Sequence, residues 1–209
     1  MVAHSGVWSA RQTIDTSGGV SGTRLFRWQE FRSLPVGGGV FVSAWFFLPR
    51  AVKVGGFLNV FQFKSKTQDG RFVDVFFELN VFSRSDGAMY LRPGWGWGAE
   101  NPRFPAGPFA DGSSGGSWFR PLSRVNVPVG RWFKVSAYVV PSAGYSGTVK
   151  FWQDGTLLAD FEHVMTGYSN TDSVNGVDTQ WSVNAYGGGL SPSVYTQYVD
   201  DMSVSRSRR

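Results

Sequence analysis

Residues 71–82 read RFVDVFFELNVF. Val73, Val75, Phe77, Leu79 and Val81 fall on one side of this run at a period of two, and Phe72, Asp74, Phe76, Glu78 and Asn80 fall on the other. Successive side chains of a strand point to opposite faces, so this alternation predicts a strand with one face in a core. The polar set on the other face, with Asp74 and Glu78 about 13 Å apart, is expected to be solvated. That spacing is too wide for the paired carboxylates of a glycosidase, which stand about 5–9.5 Å apart.

The same signal spreads in both directions. Upstream, FLNVFQFKSK at 57–66 places Leu58, Val60, Gln62, Lys64 and Lys66 on one face and Phe57, Phe61 and Phe63 on the other. FVSAWFFL at 41–48 is apolar on both faces, as in a central strand of stacked sheets. Downstream, AMYLR at 88–92 follows a Ser-Asp-Gly turn, and RWFKVSAYVV at 131–140 and TVKFWQ at 148–153 are again strand-like. Asp154-Gly155 is a two-residue hairpin signal, with TLLADF returning from Thr156. QWSVNAY at 180–186 and YTQYVDDMSVS at 195–205 close the series, the latter with Tyr198, Met202 and Val204 as its expected buried side. Helix competes only at 23–32, TRLFRWQEFR, which alternates equally well as a strand, and in a turn near 162–168.

These readings predict an all-β chain: an antiparallel two-sheet β-sandwich of the jelly-roll type, ten to fourteen strands curled around a concave groove. One domain is expected over residues 1–205, with a basic tail at 206–209. Composition agrees. Gly (27) and Pro (10) are abundant, aromatics reach 16%, and charged residues are only 17% of 209 positions, which argues against disorder and against a helical bundle.

Function classes fall away in turn. The formal charge of +5 includes Arg206, Arg208 and Arg209 in the tail, so the body carries too little to argue for nucleic acid. Without an apolar run of about 18 residues, no membrane partner is expected. Zero cysteines exclude disulfides and thiolate chemistry. His4 and His163 are the only histidines, and neither has a second ligand at zinc spacing, so no metal site is expected there. Arginine outnumbers lysine 15 to 5, and its planar fork suits carboxylate or sulfate on an acidic ligand. Oligomeric state leaves no trace in the sequence.

One segment breaks the strand pattern. Residues 93–117, PGWGWGAENPRFPAGPFADGSSGGS, read as a long Gly/Pro loop carrying Trp95 and Trp97, each between glycines. Flat rings on such a loop suit stacking against the apolar face of a sugar; folding back onto the core edge is the alternative.

Trp45 with Leu48-Pro49, NVFQFKS, RWFKVSAYVV, the FWQDG hairpin, WSVNAYG and YVDDMSVS together resemble concanavalin A-like jelly rolls. More narrowly, they resemble polysaccharide lyases of the heparin lyase I, alginate lyase and glucuronan lyase kind. The resemblance runs from His4 to Asp201 and implies β-elimination on an acidic, uronate-containing polysaccharide. An arginine or side-chain amide neutralises the uronate carboxylate, a base removes the proton at C5, and a tyrosine protonates the departing oxygen.

By that resemblance Gln62 and Lys64 occupy the family's Gln-x-His strand, and Asn184 and Tyr186 its tyrosine-bearing strand. These four form the expected catalytic set, their tips within roughly 10 Å on one face. Lys64 departs from the family's histidine, which leaves Tyr186 as both base and acid. Arg92, Tyr90, Trp95 and Trp97 are the expected substrate-binding residues, and an arginine between Arg24 and Arg32 is a further match. No cofactor is implied, save a structural calcium near Asp200; capping of a neighbouring loop through backbone amides is the alternative there. Such proteins are secreted, and MVAHSGVWSA at the start shows no leader of its own. A non-catalytic carbohydrate-binding module or a structural adhesion domain would share the fold.

Overall fold

A computed structural model describes residues 2–28, 38–70, 74–96, 117–118, 121–169 and 171–206. Twelve strands occur among them: β1 (Ala10–Asp15), β2 (Ser21–Trp28), β3 (Val40–Phe47), β4 (Lys53–Thr67), β5 (Val75–Ser83), β6 (Met89–Gly96), β7 (Ser117–Trp118), β8 (Trp132–Val140), β9 (Gly147–Gln153), β10 (Thr156–Val164), β11 (Val177–Ser191) and β12 (Val194–Ser205). They form two six-stranded sheets, in the orders β1-β12-β3-β8-β9-β10 and β2-β11-β4-β5-β6-β7. Every strand pairing is antiparallel. The expected sandwich is therefore found, and 21–28 resolves as strand rather than helix.

The core lies between the sheets. Val42, Ala44 and Phe46 of β3 and Phe133, Val135, Ala137 and Val139 of β8 face Phe61, Phe63, Phe77, Leu79, Trp181 and Val183 of the second sheet, all buried. Ring pairs tie the layers together: Phe61 meets Phe151 edge-to-face at 6.3 Å, and Phe77 meets Phe161 at a tilt at 5.7 Å. β3 is central in its sheet, as its two-sided apolar pattern predicts. Its outward Phe41 and Phe47 pack on Tyr138 and Trp132. Asp154 and Gly155 both take positive φ, the requirement of a two-residue turn matching strand twist.

Three sequence readings are corrected here. First, the 93–117 loop starts later, because β6 continues to Gly96. Period two carries Leu91, Pro93 and Trp95 into the core, and Trp95 is only 2% exposed, so it is packing and not an exposed stacking platform. Proline is accepted at 93 because β7 pairs only with Gly94 and Trp95, leaving most of β6 near the sheet edge. Trp97 lies outside the described residues.

Second, the first half of β12 buries Tyr195, Gln197 and Val199 and leaves Tyr198 half-exposed; past a bulge after Asp200, Met202 and Val204 pack against the core as expected, partly buried. Gln197 is tolerated inside because its hydrogen bonds are made: its Nε2 donates to Gln12 Oε1 and to the Asn184 carbonyl, both at 2.8 Å, and its Oε1 accepts from Tyr195 Oη at 2.7 Å. Third, a one-residue bulge at Val60 turns Leu58 and Val60 inward and brings Asn59 onto the face of Gln62 and Lys64.

Candidate functional site

The outer face of the second sheet collects the polar side chains. β4 contributes Asn59, Gln62 and Lys64; β5 contributes Glu78 and Asn80; β6 contributes Tyr90 and Arg92; β11 contributes Gln180, Ser182, Asn184 and Tyr186; and β2 contributes Arg24. Register sets the rows. Gly22, Tyr186, Asn59, Asn80 and Arg92 lie in one line across five strands, so Tyr186 and Arg92 stand about 14 Å apart. One row away, Arg24 lies opposite Asn184, and its guanidinium sits 4.2 Å over the Tyr186 ring.

Glu78 is the hub of this face. Its Oε2 accepts from Asn59 Nδ2 at 2.6 Å and from Gln62 Nε2 at 3.0 Å. Asn184 Nδ2 in turn donates to Asn59 Oδ1. Burial pushes the Glu78 carboxyl up to about 7, against the opposing pull of the Asn80 and Gln62 amides and the Arg24 and Lys64 charges. Asn80 stands two positions from Glu78 on the same face of β5, and Ser182 lies opposite Gln62 where β11 meets β4. Both residues are fully buried.

The expected site residues thus share a face, in a different arrangement from that expected. Gln62 is turned toward Glu78 instead of standing free for a substrate carboxylate. Asn184 is fully buried, with its Nδ2 donating to Asn59 Oδ1. Lys64 pairs with Asp74 and lies opposite Gln180, five positions along β4 from Asn59. That puts the Lys64 backbone about 13–16 Å from that of Tyr186 along the strand. Tyr186 and Arg92 hold their outward positions, the latter 5.0 Å over the Phe82 ring; Tyr90 lies 5.4 Å below Arg124.

The sequence reading missed Glu78 as part of the site. It is buried and hydrogen-bonded where a solvated residue was expected. Asn59 was missed because the bulge at Val60 reverses its parity. Gly22 was missed too: a Cβ there would stand 2.6 Å from Tyr186 Cδ2, so only glycine lets the ring lie across β2 toward Arg24.

Midway along β12, Asp200 Oδ2 accepts from the backbone N–H of His4 at 2.8 Å and of Ser5 at 3.3 Å, the amide-capping alternative. Asp201 accepts from Ser5 Oγ at 2.6 Å and meets His4 Nδ1 at 2.7 Å, contacts that hold its carboxyl below the usual range. No group of three metal-ligating side chains occurs among the described residues. His163 is exposed, at a bulge of β10 with a positive φ.

By sequence the chain matches no protein-family model and no curated protein. Solved structures do match it. An endo-β-1,4-glucuronan lyase from the fungus Trichoderma reesei aligns with TM-score 0.64 at 14% identity, over 97% of this chain and 83% of that one. This chain has the jelly-roll fold of that structure. Alginate lyase Aly36B, in complex with an alginate trisaccharide, aligns with TM-score 0.61 at 14% identity, over 96% and 82% of the two chains. Alginate lyase vAL-1 from Chlorella virus gives 0.61 at 11%, over 95% and 85%. At these identities the likeness is one of jelly-roll fold, and the function rests on the face just described.

Proposed function

We propose that this jelly roll acts on an acidic, uronate-containing polysaccharide, cleaving it by β-elimination. The observation that carries the reading is the outer face of the second sheet: Tyr186 under Arg24 at one end, Arg92 at the other, and a floor of buried amides between them. Cationic side chains flanking a polar floor suit a carboxylate on every sugar, and guanidinium is the stronger partner for it.

In this reading Tyr186 carries the proton. As phenolate it takes the hydrogen from C5; the C5 electron pair forms the double bond to C4 as the C4–O bond breaks, and the phenol returns its proton to the departing oxygen. Arg24 holds the ring in place from above, its guanidinium 4.2 Å from the ring centroid. Arg92, Tyr90 and Lys64 bind flanking sugars, while Gln62 and Asn184 hold the floor through Glu78 and Asn59. Among the described residues no helix is long and apolar enough to cross a membrane. With such a polymer as substrate, the reading includes action outside the cell.

A second reading, a glycan-binding module without turnover, is favoured by one observation: Lys64, standing where the family has histidine, is ion-paired to Asp74. The two separate by ultraviolet absorbance of the unsaturated uronate that elimination leaves. The expected result is a rising trace with glucuronan or alginate. Flat traces across glucuronan, alginate and heparin-type polymers, with binding retained, would establish the module instead.

A further inference from the structure

An acid at the centre of a face built for acids requires explanation. Glu78 stands in the middle of the polar floor, opposite Gly94 of β6, a neighbour without a side chain to screen it. Two amide donors, from Asn59 and Gln62, converge on Oε2, and this leaves Oε1 as the oxygen to carry a proton. The charged and titratable groups around it come from every neighbouring strand: Arg24 on β2, Lys64 on β4 with its partner Asp74, Tyr90 and Arg92 on β6, and Tyr186 on β11.

We propose that Glu78 enters the complex as a neutral carboxylic acid and donates its Oε1 proton to the carboxylate of a bound uronate. The proton comes from solvent when the free protein is ionised, and it is shared between Oε1 and one uronate oxygen; no covalent bond changes. Two carboxylates at this distance cannot both be charged, so the pair binds only with the proton between them. Burial of Glu78 favours the same state, since a neutral acid is the form a desolvated site holds. The inference rests on the uronate reading and deepens it: the face selects uronate by proton uptake as well as by arginine.

The test measures binding of an oligoglucuronate and of its carboxyl-reduced, uncharged counterpart by calorimetry from about pH 6 to about pH 8.5, in buffers of different ionisation heat. Expected for the oligoglucuronate is a constant affinity up to about pH 7 and a loss of roughly tenfold per pH unit above it, with uptake of nearly one proton at the upper end. Glu78→Gln, which keeps the amide contacts and cannot ionise, is expected to bind at the low-pH affinity throughout. An oligoglucuronate that binds better than its reduced counterpart, but with no slope and no proton uptake, overturns this inference alone. So does a slope that persists in Glu78→Gln. Equal binding of the two oligomers, or binding of neither, overturns the uronate reading with it. Should Glu78→Gln fail to fold, the proton count of the unmodified protein decides the matter.

Discussion

The Arg24 guanidinium carbon lies 4.2 Å from the centroid of the Tyr186 ring. The two residues come from strands at opposite ends of the chain's first and last thirds, joined because β11 runs antiparallel between β2 and β4. On the proposed reading this ring carries the proton-transferring hydroxyl. Tyr186→Phe is therefore expected to leave glycan affinity within about twofold and to abolish release of unsaturated uronate, since it removes only the hydroxyl. Turnover surviving in that variant would place the acid and base elsewhere.

Gly22 supplies the space that the Tyr186 ring occupies. A Cβ at 22 would stand 2.6 Å from Cδ2 and 3.2 Å from Cβ of Tyr186, too near its root for rotation alone to relieve. Gly22→Val should lower kcat by about tenfold or more while the melting temperature changes little, because this face is outside the core. Unchanged kcat in a folded Gly22→Val protein would show that the ring's position is immaterial.

Trp95 belongs to the core, not to a sugar platform. At 2% exposure, Trp95→Ala should destabilise the fold by about 3–5 kcal/mol, read as a lower urea midpoint, with affinity per folded molecule retained. Weakened glycan binding with stability intact would restore the stacking role.

Glu78 also makes folding stability depend on pH. Its carboxyl rises from an ordinary value of 4.5 to about 7, so the native state holds the proton more tightly than the unfolded chain. Its contribution is fully present below about pH 4.5 and is lost as pH rises through about 7, a swing of roughly 3 kcal/mol. Denaturation of unmodified protein should show this decline, and Glu78→Gln should flatten it. A decline of equal size in both proteins would assign it to other groups.

The legible part of the molecule was its periodicity. RFVDVFFELNVF and its neighbours determined a two-sheet antiparallel sandwich, and Asp154-Gly155 determined a hairpin, because alternation and turn chemistry are local properties of the backbone. Gln62, Tyr186 and Arg92 were likewise placed on one face by parity and by motif. Tertiary structure decided the rest. The bulge at Val60 moved Asn59 to the site, a shift that no alternation can announce. Gln197, polar yet buried, reversed the expected inward face in the first half of β12, since hydrogen bonds to Gln12, Tyr195 and the Asn184 carbonyl replace its water. Trp95, flanked by glycines as a loop residue would be, went into the core because β5 and β7 extend the ladder on both sides of it. Glu78 became the hub through partners on a neighbouring strand, Asn59 and Gln62, that sequence spacing does not bring together. The sequence by itself determined which residues alternate; whether a polar one faces water, the core or a ligand depended on hydrogen bonds reaching across strands, and those exist only once the sheets are formed.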